Sequence, residues 1–234
     1  MSLLTICQDA CSDLSLPAVT SVVGNAVSHA PLLLRIAKEE LNSLATRHNW
    51  QRLTKEHTFA ATASTVQVTA SAIPSDFDRM VNESIFNRTD KERIWGPLSP
   101  EEWQNIQANS ITMVDPSYRI RQNTILITPA PTAADTIAYE YISLNKARSS
   151  GGTEQANWEA DSDTTVFRED IVTLGVVWRY RKSKGYAHSS DLEEYERRVV
   201  EAIMRDGTRS RLSCDPPNML RQPSPPVTPD TLVF

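Results

Sequence analysis

The stretch His29–Phe59, HAPLLLRIAKEELNSLATRHNWQRLTKEHTF, decides most of what can be predicted about the fold. Its first part repeats apolar residues at helical spacing, from Leu33 to Leu44, and Pro31 suits the first turn of such a helix. Its second part mixes basic and aromatic residues without that period. The stretch therefore predicts a long amphipathic helix over residues 31–48, followed by an extended segment.

Three more helices are predicted from apolar spacing, at about residues 3–14, 167–183 and 189–206. Pro17 ends the first of them. Ser190 and Glu193 read as a capping box at the start of the last one. These helices suit a bundle.

Extended segments lie between the second and third helices. Apolar and polar residues alternate at about 65–69, 111–114, 118–121, 124–128 and 136–143. A short helix is predicted to begin at Ser99, and residues 144–157 read as a flexible loop. We expect an antiparallel meander that forms a β subdomain over about residues 55–143.

The character of the chain changes after Gly207. Residues 215–234 contain six prolines and show neither helical nor strand period. This composition predicts an extended, proline-rich tail over residues 207–234, attached to a domain over residues 1–206. The predicted fold class is α+β: an α-helical bundle with an antiparallel β subdomain and an extended C-terminal tail.

Composition limits the function classes. The chain has 234 residues, 40% of them hydrophobic, which is enough for a packed core. A net charge of −5 without a basic stripe disfavours tight binding of free double-stranded DNA. Three cysteines, Cys7, Cys11 and Cys214, are too few for a disulfide framework and favour a reducing cytosolic origin. We expect no signal peptide and no membrane span.

No catalytic constellation stands out. His48 and His57 could approach each other across a turn, but neither has a nucleophile and an orienting acid in a known arrangement. Only seven glycines are present, and none forms a phosphate-binding loop. Asp161 and Asp163 could bind a divalent ion, and Asx-turns in a loop explain them equally well. We therefore expect no catalytic, cofactor-binding or metal-binding residues, and no cofactor.

Charged and aromatic residues admit two interpretations each. Five tryptophans could form a nucleic-acid stacking platform, but core or subunit-interface positions fit better without interleaved basic residues. The basic run from Arg179 to Lys184 is explained by a helix carboxyl end, or by contact with an acidic neighbour or DNA. The acidic run Asp191, Glu193, Glu194, Glu196 is typical of a solvated helix face, and in a ring it could face a channel.

Several segments together resemble the head-to-tail adaptor (connector) proteins of tailed bacteriophages, and in particular podovirus tail accessory factors. The segments that carry the resemblance are LLTICQDACSDLSLP at 3–17, the helix within 29–59, IPSDFDRM at 73–80, TILITPAPTAADTIAYEYIS at 124–143, and DSDTTVFREDIVTLGVVWRYRKSKGYAHSSDLEEYERRV at 161–199. The similarity covers about residues 1–205. The segment 60–72 and the link KGYAHS depart from it, and the tail after residue 207 matches nothing that we can align.

The resemblance implies a structural virion protein of the neck, between capsid and tail. About twelve copies would form a ring beneath the portal protein, join it to a tail or nozzle protein, and make transient non-specific contact with double-stranded DNA in the channel. Asp191, Glu193 and Glu194 are the expected channel-lining residues. Leu232, Val233 and Phe234, at the apolar tip of the tail, are the expected portal-binding residues.

A monomeric binding module is one alternative, and two others stay open at this point. One is another structural phage part, such as a tail-tube or head-completion protein lower in the neck. The other, from a different class, is a metal-dependent hydrolase that uses Asp161 and Asp163 with a histidine.

Overall fold

The computed structural model describes residues 2–26, 29–67, 69–109 and 114–207. Its helices are α1 (Leu3–Asp13), α2 (Ala30–Arg47), α3 (Thr69–Ala72), α4 (Pro100–Ala108), α5 (Glu169–Ser183) and α6 (Ser189–Asp206). Its strands are β1 (Thr54–Ala60), β2 (Phe77–Met80), β3 (Phe86–Asn87), β4 (Glu92–Arg93), β5 (Ser117–Arg121), β6 (Thr124–Thr128), β7 (Thr136–Ser143), β8 (Ala147–Arg148), β9 (Glu154–Gln155) and β10 (Thr164–Thr165). Helices and antiparallel sheets are both present, so the predicted α+β class is confirmed.

Helix α5 is the centre of a helical layer, because α1, α2 and α6 all contact it. Its buried residues are spread round the helix rather than along one stripe: Ile171, Val172, Gly175, Val176, Val177, Trp178 and Tyr180. Helix α2 behaves as its period predicts and turns Leu33, Ala37, Leu41 and Leu44 inward. None of the helices among the described residues is long and apolar enough to cross a membrane.

Strand β7 is the centre of the main sheet. It pairs antiparallel with β1 along its length, from Thr54 opposite Ile142 to Ala60 opposite Thr136. Its other edge pairs with β2 and β3. Both faces of β7 are largely buried, which explains its nearly continuous apolar sequence. The predicted meander is therefore wrong: the main partner of β7 is the most distant strand in sequence, and β5 and β6 form a separate hairpin.

That hairpin closes through a two-residue turn. Gln122 and Asn123 both have positive φ, 49° and 57°, as a type I′ turn requires. Two isolated bridges attach the hairpin to the rest of the sheet region, one between Val66 and Leu126 and one between Trp95 and Ser117.

The segment predicted as a flexible loop at 144–157 is instead part of a small sheet in the order β10-β8-β9. This sheet lies against the start of α1, where the Leu3 N–H donates to the Asp163 carbonyl at 2.8 Å. Its strands are two residues long, which is too short for a recognisable alternation.

The strand expected at 65–69 is also wrong. Val66, which the alternation placed inside, is 53% exposed, whereas Gln67 is 1% exposed. Gln67 is buried because its amide bonds to the backbone of Thr62 and Ser64, at 2.9 and 2.6 Å. A strand prediction based on alternation fails where a polar side chain is buried by hydrogen bonds to its own loop.

The two helix starts differ from each other. Helix α4 has the full capping box, with Ser99 and Glu102 each bonded to the other's backbone N–H. At α6 the predicted capping box is wrong, because the helix starts at Ser189 after His188, whose side chain makes no capping bond. The strand expected at 111–114 falls mostly outside the described residues.

Candidate interface around the last helix

A buried carboxylate joins α6 to the rest of the helical layer. Glu40 on α2 is fully buried, and it accepts hydrogen bonds from Arg179 Nε on α5 at 2.6 Å and from the Tyr195 hydroxyl on α6 at 2.5 Å. Gly175 faces it so closely that a Cβ there would lie 2.3 Å from Glu40 Cδ. One side chain therefore connects three helices.

Burial and hydrogen bonding shift the pKa of the Glu40 carboxyl in opposite directions. Burial raises the pKa of the Glu40 carboxyl, and the bonds from Tyr195 and Arg179 lower it by less. The same burial raises the pKa of the Tyr195 hydroxyl. Breaking such a pair is costly because it leaves a buried charge uncompensated. The arrangement fixes the position of α6, and we assign it a structural role.

The predicted channel residues all lie on α6, but they differ in their partners. Asp191 accepts from Arg181 Nη1 at 2.5 Å. Glu194 accepts from Arg197 and Arg198, at 2.6 and 2.9 Å. Glu193 is exposed, and within the part of the chain that the structure describes its carboxylate makes no hydrogen bond or ion pair. Two of the three carboxylates are thus partly neutralised by neighbouring arginines.

A pocket of about 180 Å³ lies at the carboxyl end of α6. Its apolar lining comes from Leu44, Trp50, Val166, Phe167, Ile171 and Ala202. The Trp50 and Phe167 rings meet edge to face at 5.6 Å, and Trp50 Nε1 donates to the Leu44 carbonyl at 2.7 Å. The two aromatic rings are therefore held in place by contacts of their own.

Charged residues surround this pocket: Arg52, Arg168, Arg205 and Asp206. Arg168 is bound to Asp170, and Asp206 accepts the Gln51 N–H at 2.9 Å. Arg205 is exposed and has no ion-pair partner among the described residues. These four residues form the rim of the pocket, which is therefore mainly cationic, and the apolar residues beneath them form its floor.

The Asp161/Asp163 pair has structural partners. The Asp161 carboxylate accepts the backbone N–H groups of Val22 and Val23, the latter at 2.8 Å. The Asp163 carboxylate accepts those of Glu159 and Ala160, both at 2.8 Å. Among the residues that the structure describes, no three His, Cys, Asp or Glu side chains group closely enough to hold a metal. Both aspartates therefore hold loop backbone, but neither forms the expected Asx-turn, since each accepts N–H groups that precede it in the chain.

The cysteines and histidines also have simple environments. Cys7 and Cys11 are buried free thiols, and burial raises the pKa of Cys7 to about 12. His48 lies 3.7 Å from Asp206, whereas His57 packs beside Tyr139 and bonds to the Ser71 carbonyl. Cys214, like Leu232, Val233 and Phe234, lies outside the described residues.

The tryptophans are mainly core residues, as expected. Trp50, Trp103, Trp158 and Trp178 are at most 8% exposed. Trp95 is 47% exposed and carries the Arg93 guanidinium 4.3 Å from its ring centroid. In the basic run, Arg179 and Arg181 are held by Glu40 and Asp191, while Lys182 and Lys184 are exposed.

Sequence reasoning missed both central features of this region. Glu40 occupies a core position of the α2 stripe, so an acidic residue at that spacing was the available signal. Gly175 in the middle of a helix was a second signal. The pocket left no local signal, because its walls come from α2 and the segment after it, from α5 and the segment before it, and from α6.

Comparison with known proteins gives one family match. The model of the family described as SU10 adaptor protein matches residues 1–219, and no curated protein matches this chain. The match extends the resemblance past residue 205, to twelve residues beyond Gly207. The chain therefore belongs to the SU10 adaptor protein family, and it is a structural protein of the bacteriophage adaptor type.

Proposed function

We propose that this protein forms a ring of about twelve copies beneath the portal protein, in the neck of a podovirus-like virion. Family membership over residues 1–219 carries the proposal, because an adaptor is a virion component that contacts other phage proteins. The ring would receive a tail or nozzle protein on its other side and enclose part of the DNA channel.

An acidic channel wall is the second element of the proposal. With −5 per subunit, twelve copies carry roughly −60 before screening. Such a wall would repel phosphate and keep DNA from adhering during packaging and ejection. Of the expected channel residues, Glu193 contributes a carboxylate free of ion pairs with the described residues, so its effect should exceed that of Asp191 or Glu194.

Portal binding is assigned to the apolar tip of the tail, Leu232, Val233 and Phe234. Burying one such side chain contributes roughly 1.5–3 kcal/mol. A ring repeats that contact once per subunit, so a weak single contact gives a stable assembly.

The test is to mix the purified protein with the portal protein of the same phage. Mass photometry should show monomer in its absence and a ring-sized increment on the portal in its presence, and electron cryo-microscopy should count the copies. A full-length variant with Leu232, Val233 and Phe234 changed to serine should fold and fail to attach. A ring that forms without binding portal would instead identify a tail-tube or other neck protein.

A DNA-binding measurement tests the channel separately. The ring assembled on the portal should not add to the portal's affinity for duplex DNA at physiological salt, and Glu193→Lys should increase that affinity. Ser190→Lys, on the same exposed face of α6, adds one positive charge without removing a carboxylate and serves as the matched control. Tight binding by the unmodified ring would contradict the repulsive wall.

A further inference from the structure

The pocket at the carboxyl end of α6 has the size and lining of a receptor for an apolar side chain. Its volume is about 180 Å³, and Trp50, Phe167 and Ile171 form much of its surface. Apolar cavities of about 150 Å³ accept a molecule the size of benzene. A phenylalanine or leucine side chain therefore fits.

The charged residues of the rim determine which charge a bound segment should carry. Arg52, Arg168 and Arg205 stand against the single carboxylate of Asp206. Arg52 Nη1 is committed to the Val166 carbonyl at 3.2 Å and Arg168 to Asp170, whereas Arg205 is exposed. A segment with an acidic group close to its apolar residues would meet Arg205 favourably, and a basic segment would be repelled.

The tail of the same chain contains one basic segment and one segment with an acidic group close to apolar residues. Residues 208–221 carry three arginines and one aspartate. Residues 222–234 carry no lysine or arginine, and their one charged residue, Asp230, is followed closely by Leu232, Val233 and Phe234. Only the second segment matches both the floor and the rim.

The pocket is also within easy reach of that segment. Asp206 lines the pocket, and the tail begins at the next residue. An extended chain covers at most roughly 3.3–3.6 Å per residue, so the residues between Gly207 and Asp230 span far more than the distance back to the rim. A tethered segment meets its site at an effective concentration of about millimolar, so weak docking suffices.

We propose that in the free protein the segment Asp230–Phe234 docks in this pocket of its own chain, with Phe234 on the apolar floor and Asp230 beside Arg205. Portal binding is assigned above to the same apolar residues, so the two contacts exclude each other. The tip is then held on the adaptor until a portal competes for it. The inference shares residues with the proposed function, but neither a ring nor a portal is needed to test it.

The probe is a fluorescein-labelled peptide of residues 222–234, measured by fluorescence polarisation against full-length proteins. Wild-type protein should bind it weakly, because its own tip occupies the pocket. The variant with Leu232, Val233 and Phe234 changed to serine should bind it at least tenfold more tightly. A peptide of residues 208–221 should bind neither protein.

Exchanging the charges of Arg205 and Asp230 tests whether the peptide binds at this pocket. Arg205→Glu in the serine variant should weaken peptide binding about tenfold, and a peptide with Asp230→Arg should restore it. Arg197→Glu, on an exposed arginine of α6 outside the pocket, is the matched control and should leave the affinity unchanged. Because Arg205 is exposed, the variant should keep the circular dichroism spectrum and melting temperature of the parent.

Equal affinity of the peptide for wild-type protein and the serine variant would overturn docking within one chain. Absence of binding to the serine variant, or an Arg205→Glu effect that Asp230→Arg does not reverse, would overturn the pocket as the site. Loss of portal attachment is scored in a different experiment, so either proposal can fail while the other stands.

Discussion

The helical layer and the main sheet each hold a carboxylate in a network, and the two networks shift its pKa in opposite directions. In the sheet, burial alone would raise the pKa of Asp76, but bonds from Lys55, Ser143 and Tyr141 outweigh it and lower the pKa to about 2. In the helical layer, burial of Glu40 outweighs its partners and raises the pKa. Their accessibility accounts for the difference: the Asp76 side chain is 17% exposed, and Glu40 is fully buried.

These two carboxylates show that the number of hydrogen-bond partners does not by itself decide the direction of the pKa shift. Asp76 keeps some contact with water and gains three donors, one of them the charged Lys55, so the network favours its charged form. Glu40 gives up all contact with water, so its bonds only partly offset the cost of burying a charge. We expect the sheet network to stabilise the fold through charge and the helical one to specify how three helices fit together.

The largest effect is expected for Glu40→Ala. It leaves the guanidinium of Arg179 and the hydroxyl of Tyr195 without their shared partner inside the helical layer. We expect the free energy of unfolding to fall by about 3 kcal/mol, measured by urea denaturation. Glu39→Ala, which removes an exposed partner of Arg179, is the control and should have a much smaller effect. Equal losses from the two variants would mean that Glu40 is not the centre of the network.

The second prediction concerns Asp76→Asn and pH. Because the folded pKa of Asp76 is lowered to about 2 from 3.8, its charge stabilises the fold above pH 4 and the benefit disappears as pH falls towards 2. The wild type should exceed the variant by about 2 kcal/mol at pH 6, and the gap should close on acidification. For Glu40→Gln the trend should be reversed, since a raised pKa makes the wild type gain relative stability as pH falls. Two trends of the same sign would contradict the comparison.

Gly175→Ala tests how tightly the helical network is packed. In an open helix this change stabilises by roughly 0.5–1 kcal/mol. Here the new Cβ would lie 2.3 Å from Glu40 Cδ, so we expect a net loss of about 1 kcal/mol. Gly151→Ala is the control, since the nearest atom to its Cβ would be Ser149 Oγ at 3.8 Å. The loss of stability caused by Gly175→Ala should disappear when Glu40 is also changed to Ala. Thermal melts of the wild type, the two single variants and the double variant would measure this.

The smallest effect is expected at the exposed edge of the helical network. Arg47 on α2 binds both oxygens of Glu196 on α6, at 2.6 and 2.8 Å. These side chains are 30% and 45% exposed, so Glu196→Gln should cost only about 0.5 kcal/mol. The difference should shrink further in 1 M salt. A loss as large as that of Glu40→Ala would show that exposure does not separate the two pairs.

Much of the fold could be predicted from local pattern. The predicted helices at 3–14, 31–48, 167–183 and 189–206 lie within two residues of α1, α2, α5 and α6 at each end. The hairpin of β5 and β6 and the strand β7 also lie where the alternation placed them. The division into a domain and a tail, and the channel-lining and portal-binding residues, remain predictions.

The errors in the predicted strands have two causes, one local and one long-range. Alternation could not show that Gln67 folds back on its own loop, or that the partner of β7 is β1 rather than a neighbour. The candidate pocket was beyond prediction for the long-range reason, since Leu44, Phe167 and Ala202 are far apart in sequence.

The sequence by itself determined the helices, the strands β5, β6 and β7 and the segments that resemble the adaptor family, because periodicity acts over a few neighbouring residues. Only the tertiary structure decided that Glu40 would become the buried link between three helices, that Asp161 would hold the backbone of a distant loop, and that an apolar pocket with a mainly cationic rim would form at the end of α6. Burial and long-range contact set these outcomes, and both depend on segments that meet only when the chain is folded.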